Sequence, residues 1–495
     1  MRYLIPAAYR FRRIVGVTAA LCLLLLLSGE AAAARGARLV ALGPTEPAGP
    51  QRMYLPLVAR DDPMRTNRLC RFGVGASSDI TRYPVNQLRI GWYTDWGTAL
   101  QPLRPGGVEY LQMIRLSQVG HETYTSTPQG ADLLAIIAAN PGALWVVGNE
   151  PDRRKWQDSL EPAIYTRAYH DLYSQIKAAD PTARLVAGSI VQPTPLRLQY
   201  LDMILDSYRS LYGEPMPVDV WNIHAFILNE RSCTYFPEDC WGAEVPPGIS
   251  APEGMRYGIQ DNDSMAIFKQ FIVSFRQWMA DRGYQDRPLI ITEYGVLMPQ
   301  DYGFSPARVN AYMNATFDYL SIAAGPTGYP ADKDRLVQAW AWYSLADSSF
   351  NGWLYDAQTG TRTVFGDNFS AYTAAVPPSI NLTPVKLRVE PVAGARPDQM
   401  VTLVAQVANN GNVAMSRASY VRFYAGDPAH GGTLIGADQT LPVLDGCGNT
   451  AQVAIIWSNA PSGPATVWIV VDPFNVITES DESDNQLATD ITVSP

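Results

Sequence analysis

Histidine is nearly absent: the 495-residue chain has 4. That scarcity speaks against a zinc enzyme, whose centres draw on clustered His and Cys ligands. Cysteine is sparse too, at 5, and Cys22 lies inside an N-terminal apolar run. Charged residues are 17% of the chain and the formal net charge is -9. Outside the N-terminus there is no cluster of Lys and Arg, so no nucleic acid partner is expected, because phosphate binding needs a basic surface. No Gly-rich dinucleotide loop follows the first candidate strand, which counts against a doubly wound cofactor-binding sheet. No cofactor and no metal ion is expected, and nothing suggests a coiled coil or a repeat.

What is present is apolar and aromatic. Hydrophobic residues reach 47%, with 12 Trp and 26 Tyr. This is a globular composition. An acidic, Tyr/Trp-rich chain suits neutral sugars, whose C–H faces stack on aromatic rings, although most rings will serve the core. The length implies two or three folded units.

The N-terminus reads as a targeting segment. Arg10, Arg12 and Arg13 precede an apolar run over 14–27, and small residues follow through Ala34. That is the order of a secretory signal cleaved near Ala34. The run is short for a membrane helix, with an uncleaved anchor as the alternative. Residues 1–34 are thus assigned to the signal, and a secreted or cell-surface location is expected, with no membrane contact after cleavage. In an oxidising compartment, Cys233 and Cys240 suit a local disulfide. Cys70 and Cys447 are either free or bridge two domains; spacing alone does not decide.

Residues 35–68 are rich in Ala, Pro, Gly and Arg and read as a linker with one apolar patch at 53–58. From 69 to 373, short apolar strands alternate with amphipathic stretches, the pattern of an α/β domain. Strands are predicted at 72–76, 90–96, 109–116, 143–150, 184–190, 218–226, 289–293 and 337–344. The clearest helices are 164–179 and 265–283, from their apolar spacing. Eight βα repeats over about 300 residues fit a closed (β/α)8 TIM barrel. Residues 374–383 form a second linker. Residues 384–495 alternate strands and turns, with no helical stretch, and read as an immunoglobulin-like β-sandwich.

Two predicted strands end in acids. Asn149 and Glu150 close the fourth, and Glu293 closes the seventh. Burying an ionised acid without a partner is strongly unfavourable, so such residues are rarely there for packing. Barrel active sites lie at the carboxyl ends of the strands, and strands four and seven stand on opposite sides of the ring. Their carboxylates can therefore face each other, as glycosidic bond hydrolysis requires. A structural ion pair is the competing account.

Asn149-Glu150-Pro151 and Thr292-Glu293-Tyr294-Gly295 resemble clan A glycoside hydrolases. With Gly91-Trp-Tyr-Thr-Asp-Trp96 and Gly148-Asn-Glu-Pro-Asp152, the set is most similar to family 128, whose members hydrolyse β-1,3-glucans. The resemblance covers roughly residues 70–350, and the stretch 229–263 departs from it. It implies a retaining mechanism with Glu150 as general acid/base and Glu293 as nucleophile. Mutual repulsion and a dry pocket would raise the Glu150 pKa. Asn149 would bind the sugar 2-hydroxyl, and His224 would contact the nucleophile or the sugar, a satisfied buried histidine being the alternative. Tyr294 would orient Glu293. Trp342 would form the floor under the sugar, with Trp340 on the same face as its competitor. Trp96 is the better platform candidate on strand two, and Trp92 the better core candidate.

At the C-terminus, Asn409-Asn-Gly-Asn-Val413 and the stretch 471–485 resemble bacterial cell-adhesion-related (CARDB) domains of immunoglobulin-like fold. The acidic run 479–484 reads as a solvated hairpin tip, with calcium binding as the alternative. The whole reads as an exported hydrolase of a polysaccharide, a β-glucan first. A non-catalytic carbohydrate-binding or adhesion protein on the same barrel, and an exo-acting glycosidase, are the alternatives.

Overall fold

The computed structural model describes residues 69–391 and 400–493. The signal, the 35–68 linker and its apolar patch lie outside the described residues.

All eight expected strands form. They are β1 (Phe72–Gly75), β2 (Trp92–Thr94), β3 (Glu109–Tyr110, continued as Gln112–Val119), β4 (Leu144–Val147), β5 (Arg184–Ile190), β6 (Val220–His224), β7 (Leu289–Tyr294) and β8 (Ala339–Trp342). Each pairs in parallel with the next, and β8 pairs with β1. The first piece of β3 pairs with β2 and the second with β4, so the ring closes. This is a (β/α)8 barrel, with a hairpin strand, Thr123–Thr127, added to β3.

Among the described residues six α-helices flank the barrel: α1 (Gly130–Ala139), α2 (Pro162–Ala179), α3 (Pro195–Tyr212), α4 (Met265–Asp281), α5 (Pro306–Ile322) and α6 (Val364–Ala374). Eight βα repeats were expected. After β1 and β2, however, only 3-10 turns connect the strands. Helices α2, α3 and α5 open with proline, whose missing N–H and preset φ suit the first turn.

Strand alternation sorts the core into two layers. Trp92, Met113, Val146, Val186, Val220, Ile290, Ala339 and Ala341 fill the barrel. Trp145, Ile223, Ile291, Trp340 and Trp342 face the helices. At the amino end of the barrel, buried Arg71 pairs with Asp332 through two bonds of 2.8 and 2.7 Å.

Beyond α6 the described residues form strands and loops, with one 3-10 turn at Pro428–His430. Leu382–Pro391, Met400–Asn409 and Asn449–Ser458 form one antiparallel sheet. Ser419–Ala425, Gly463–Val471 and Gln486–Val493 form the centre of the other. Leu403, Val421, Phe423, Val467 and Ile469 pack in one buried cluster of this region. The acidic run is not merely a solvated tip. Glu479 accepts from Leu382 N and from Asn485 Nδ2, and Asp484 accepts from Asn381 and Thr383. Burial pushes the Glu479 carboxyl up to about 7. Both disulfides form, Cys233–Cys240 and Cys70–Cys447, and the second ties the entry to β1 to the sandwich.

Candidate active site

Glu293 reaches the mouth because β7 carries a bulge. On β7, Ile290 faces the barrel interior and Ile291 the helices. Strict alternation would send Glu293 the way of Ile291. The register instead slips, so that Ile223 faces Ile291 but His224 faces Glu293. Bulges commonly re-aim a side chain beside active sites. The backbone N–H of Thr292 loses its place in the ladder and donates to Asn222 Oδ1 at 3.1 Å. Asn222 Nδ2 in turn donates to Thr292 Oγ1 at 2.7 Å.

Glu150 lies three residues past the end of β4, in the left-handed backbone region at φ 43°. Its N–H donates to Ser189 O, which fixes it against the end of β5. Asn149 is held by Asp158 and Gln157: its N–H donates to Asp158 Oδ2 at 2.8 Å and its Nδ2 to Gln157 Oε1 at 2.9 Å. Arg115 on β3 donates to Asp158 Oδ1 at 2.7 Å. Asn149 Oδ1 is buried and has no partner among the described residues.

His224, at the end of β6, stands between the two acids. Its Nδ1 is 3.0 Å from Glu150 Oε1. Its Nε2 is 3.5 Å from Glu293 Oε1, an ion-pair distance without hydrogen-bond geometry. Trp96 Nε1 donates to that same Glu293 oxygen at 2.5 Å. Single ligand atoms of Glu150, His224 and Glu293 all lie within 4.8 Å of one another. Such a set could also receive a divalent cation, though both imidazole nitrogens already face carboxylates.

The electrostatics reverse one expectation. Burial alone would push Glu150 up, but Arg153 and then His224 outweigh it and hold the carboxyl down at about 2. Arg153 Nη1 is 3.2 Å from Glu150 Oε2. Burial pushes Glu293 up, opposed by the charge of His224 and aided by that of Glu150. Burial would lower His224, yet Glu293 first and Glu150 next raise it. The two acids therefore favour the charged form of the ring between them, while Arg153 and His224 hold Glu150 down and burial holds Glu293 up. The expected elevation of Glu150 overlooked the arginine three residues downstream.

Two aromatic expectations are corrected. Trp342 is fully buried on the helix side of β8, where Nε1 donates to Gly352 O and the ring packs against Tyr294. It forms no floor to the mouth. Trp340 shares that outer face and packs on Phe72. Tyr294 also points outward, against Phe268, with its hydroxyl 3.4 Å from Thr316 Oγ1, so it does not orient Glu293. The aromatic of this strand end that faces the mouth is Tyr343, whose ring lies 5.8 Å from that of Trp96 and 5.8 Å from that of Phe226. Gly295 lets Tyr343 come close: a Cβ there would lie 2.8 Å from Tyr343 O. A signal for this was present, since Ala339 and Ala341 are the small residues suited to a barrel interior and set the parity. Trp92 lies inside the barrel, as expected of a core residue, and Trp96 lies at the mouth.

The stretch 229–263 hangs on a second buried charge cluster. Arg197 Nε lies 3.1 Å from Asp152 Oδ2 and 3.3 Å from Glu230 Oε1, all three buried. Burial pushes Asp152 up to about 6. Arg154 donates to Val245 O and Pro246 O, and Arg153 Nη2 to Gly242 O at 3.4 Å. The disulfide-bearing stretch is thus tied to the loop that carries Glu150.

Fold and site together define a (β/α)8 protein with paired carboxylates at its mouth, followed by a β-sandwich. The CARDB family model matches residues 381–489. Among solved structures, a family 128 (subgroup II) endo-β-1,3-glucanase from Sorangium cellulosum is 17% identical and covers 61% of this chain and 98% of its own, at a TM-score of 0.39. A monomeric β-xylosidase from Caulobacter crescentus is 12% identical and covers 82% and 98%, at 0.40. The CARDB domain of a Pyrococcus furiosus protein, solved with di-metal ions, is 21% identical and covers 23% and 88%, at 0.19. A comparison with curated proteins yields no match. At these identities and scores the functional reading rests on the residues of the site.

Proposed function

We propose that this protein is an exported retaining glycoside hydrolase that cleaves β-linkages in a polysaccharide, with a β-glucan as the first substrate to test. The observation that carries the reading is the pairing of buried Glu150 and Glu293, with oxygens within 4.8 Å across His224. Retaining enzymes need carboxyl groups about 5–5.5 Å apart, whereas inverting enzymes need room for a water between them. In this reading Glu293 attacks the anomeric carbon while Glu150 gives a proton to the departing glycosidic oxygen. The resulting glycosyl ester is hydrolysed by a water that Glu150 deprotonates. Trp96 and His224 hold the Glu293 carboxylate in line. Asn149 Oδ1, buried and without a partner among the described residues, suits a sugar hydroxyl as donor. Trp96 doubles as a wall of the sugar site.

For Glu150 to act as an acid it must regain a proton, so this reading requires the sugar to weaken the hold of Arg153 on it. The barrel over 69–373 is the catalytic part. The sandwich over 384–495 holds the enzyme at a cell surface or wall, as the CARDB match suggests.

The test is reducing-sugar release from β-1,3-, β-1,4- and mixed-linkage glucans, mannan and xylan, with Glu293→Ala and Glu150→Ala alongside. The parent should act on one polymer and both variants should lose that activity, by about 100-fold or more. Azide added to each variant assigns the roles. A glycosyl azide of retained configuration marks the acid/base residue as the one removed, and an inverted azide marks the nucleophile. Polymer binding without turnover in the parent would instead favour a non-catalytic carbohydrate-binding protein.

A further inference from the structure

The loop after Glu150 carries a tryptophan that the site as described does not use. Trp156 is 66% exposed, and no other aromatic ring packs on it among the described residues. Its backbone sits at φ 72°, a region that a bulky residue rarely adopts. Such strain persists only where the surroundings impose it.

Here both flanks are anchored. On one side Arg154 is bound to Val245 O and Pro246 O. On the other, Gln157 accepts from Asn149 and Arg115, and Asp158 accepts from the N–H groups of Asn149 and Leu116. The loop also closes on itself, with Asp158 N donating to Asn149 O and Leu160 N to Pro151 O. An exposed indole is thus held on a fixed support one residue from Gln157, which touches the neighbour of Glu150. Single exposed apolar residues need no explanation in themselves. A tryptophan with strained backbone and fixed flanks, beside a paired-carboxylate mouth, does.

We propose that Trp156 is a stacking platform for a sugar on the leaving-group side of the cleaved bond. The inference rests on the hydrolase reading with Glu150 as the acid. The residue that protonates the departing oxygen lies next to the departing sugar, so the loop it opens borders that side of the cleft. A flat indole without a partnered charge suits the C–H face of a neutral pyranose, as in a β-linked glucan.

The experiment compares the parent, Trp156→Ala and Trp156→Phe on two substrates. One is the polymer that the parent cleaves. The other is a β-oligosaccharyl fluoride of the same sugar, whose leaving group is a fluoride with no sugar beyond the cleaved bond. Trp156→Ala should lose about tenfold or more in kcat/KM on the polymer, the equivalent of one stacking contact. On the fluoride it should stay within about twofold of the parent, and Trp156→Phe should recover much of the polymer activity. Circular dichroism should show unchanged folding, as suits an exposed side chain. Equal losses on both substrates would mean that the residue acts through the Glu150 loop and would overturn the proposal, as would no loss on either. A parent that hydrolyses no polymer would sink the hydrolase reading and this inference with it.

Discussion

His224 Nδ1 lies 3.0 Å from Glu150 Oε1, with the imidazole fully buried. A charged donor placed so lowers the carboxyl it faces, and its other nitrogen approaches the second acid at 3.5 Å. The two acids and the ring therefore titrate as one unit, not as three independent groups.

The first prediction concerns that ring. Its proton-bearing form is favoured in the folded state, since Glu293 and Glu150 raise its pKa despite burial. The stability it contributes is fully present below about 6.5 and is lost as pH rises through the elevated folded value. In His224→Asn the positive charge is gone, so both carboxyls should rise. Both limbs of the kcat/KM profile should then move to higher pH. Activity at the optimum should fall about 10- to 100-fold, the worth of a hydrogen bond to a charged group. Unfolding followed across pH 6 to 9 should show the parent losing stability more steeply than the variant.

Arg153 makes a separate claim. Its charge is the largest single influence that holds Glu150 down at about 2. In Arg153→Gln the carboxyl should rise, and the limb that reports loss of the catalytic proton should shift to higher pH. KM for the polymer should not increase, because the sugar no longer competes with the guanidinium. An alkaline limb identical to the parent's would show that Glu150 is not the group titrating there.

At the opposite end of the barrel, Asp332 is a stability residue. It takes two bonds from buried Arg71 and a third from Gln338 Nε2 at 3.1 Å. Removing one partner of a buried pair strands the other charge. Asp332→Ala should therefore cost about 3–5 kcal/mol in denaturant unfolding of the barrel. The folded fraction should keep its specific activity, since the amino end of a barrel serves stability and the carboxyl end serves chemistry.

Much of the architecture was legible in the chain. Each of the eight apolar runs became a strand because alternation and turn residues leave a buried parallel strand few other options. The first two crossovers were not legible as 3-10 turns, since 77–91 and 97–108 are simply too polar or proline-bound to show a period. Glu150 and Glu293 stood out because an acid at the end of an apolar run is costly to bury. Trp342 was misplaced although Ala339 and Ala341 carried the parity of β8, whereas Tyr294 was misjudged for a local reason on β7. Which parity of a strand faces inward depends on its partners, and one bulge at Thr292–Glu293 shifts the answer by a residue.

The linear pattern, then, determined the strand count, the barrel, the sandwich and the two carboxylates. Local hydrophobic order and the desolvation cost of an acid act over a few residues, and a chain displays both. Tertiary structure alone decided that Arg153 and His224 converge on Glu150, that Tyr343 rather than Trp342 faces the mouth, and that Cys70 meets Cys447. Those outcomes depend on distances of a few ångströms, most of them between residues far apart in sequence. Charge–charge effects fall off with separation in space, and no periodicity records that separation.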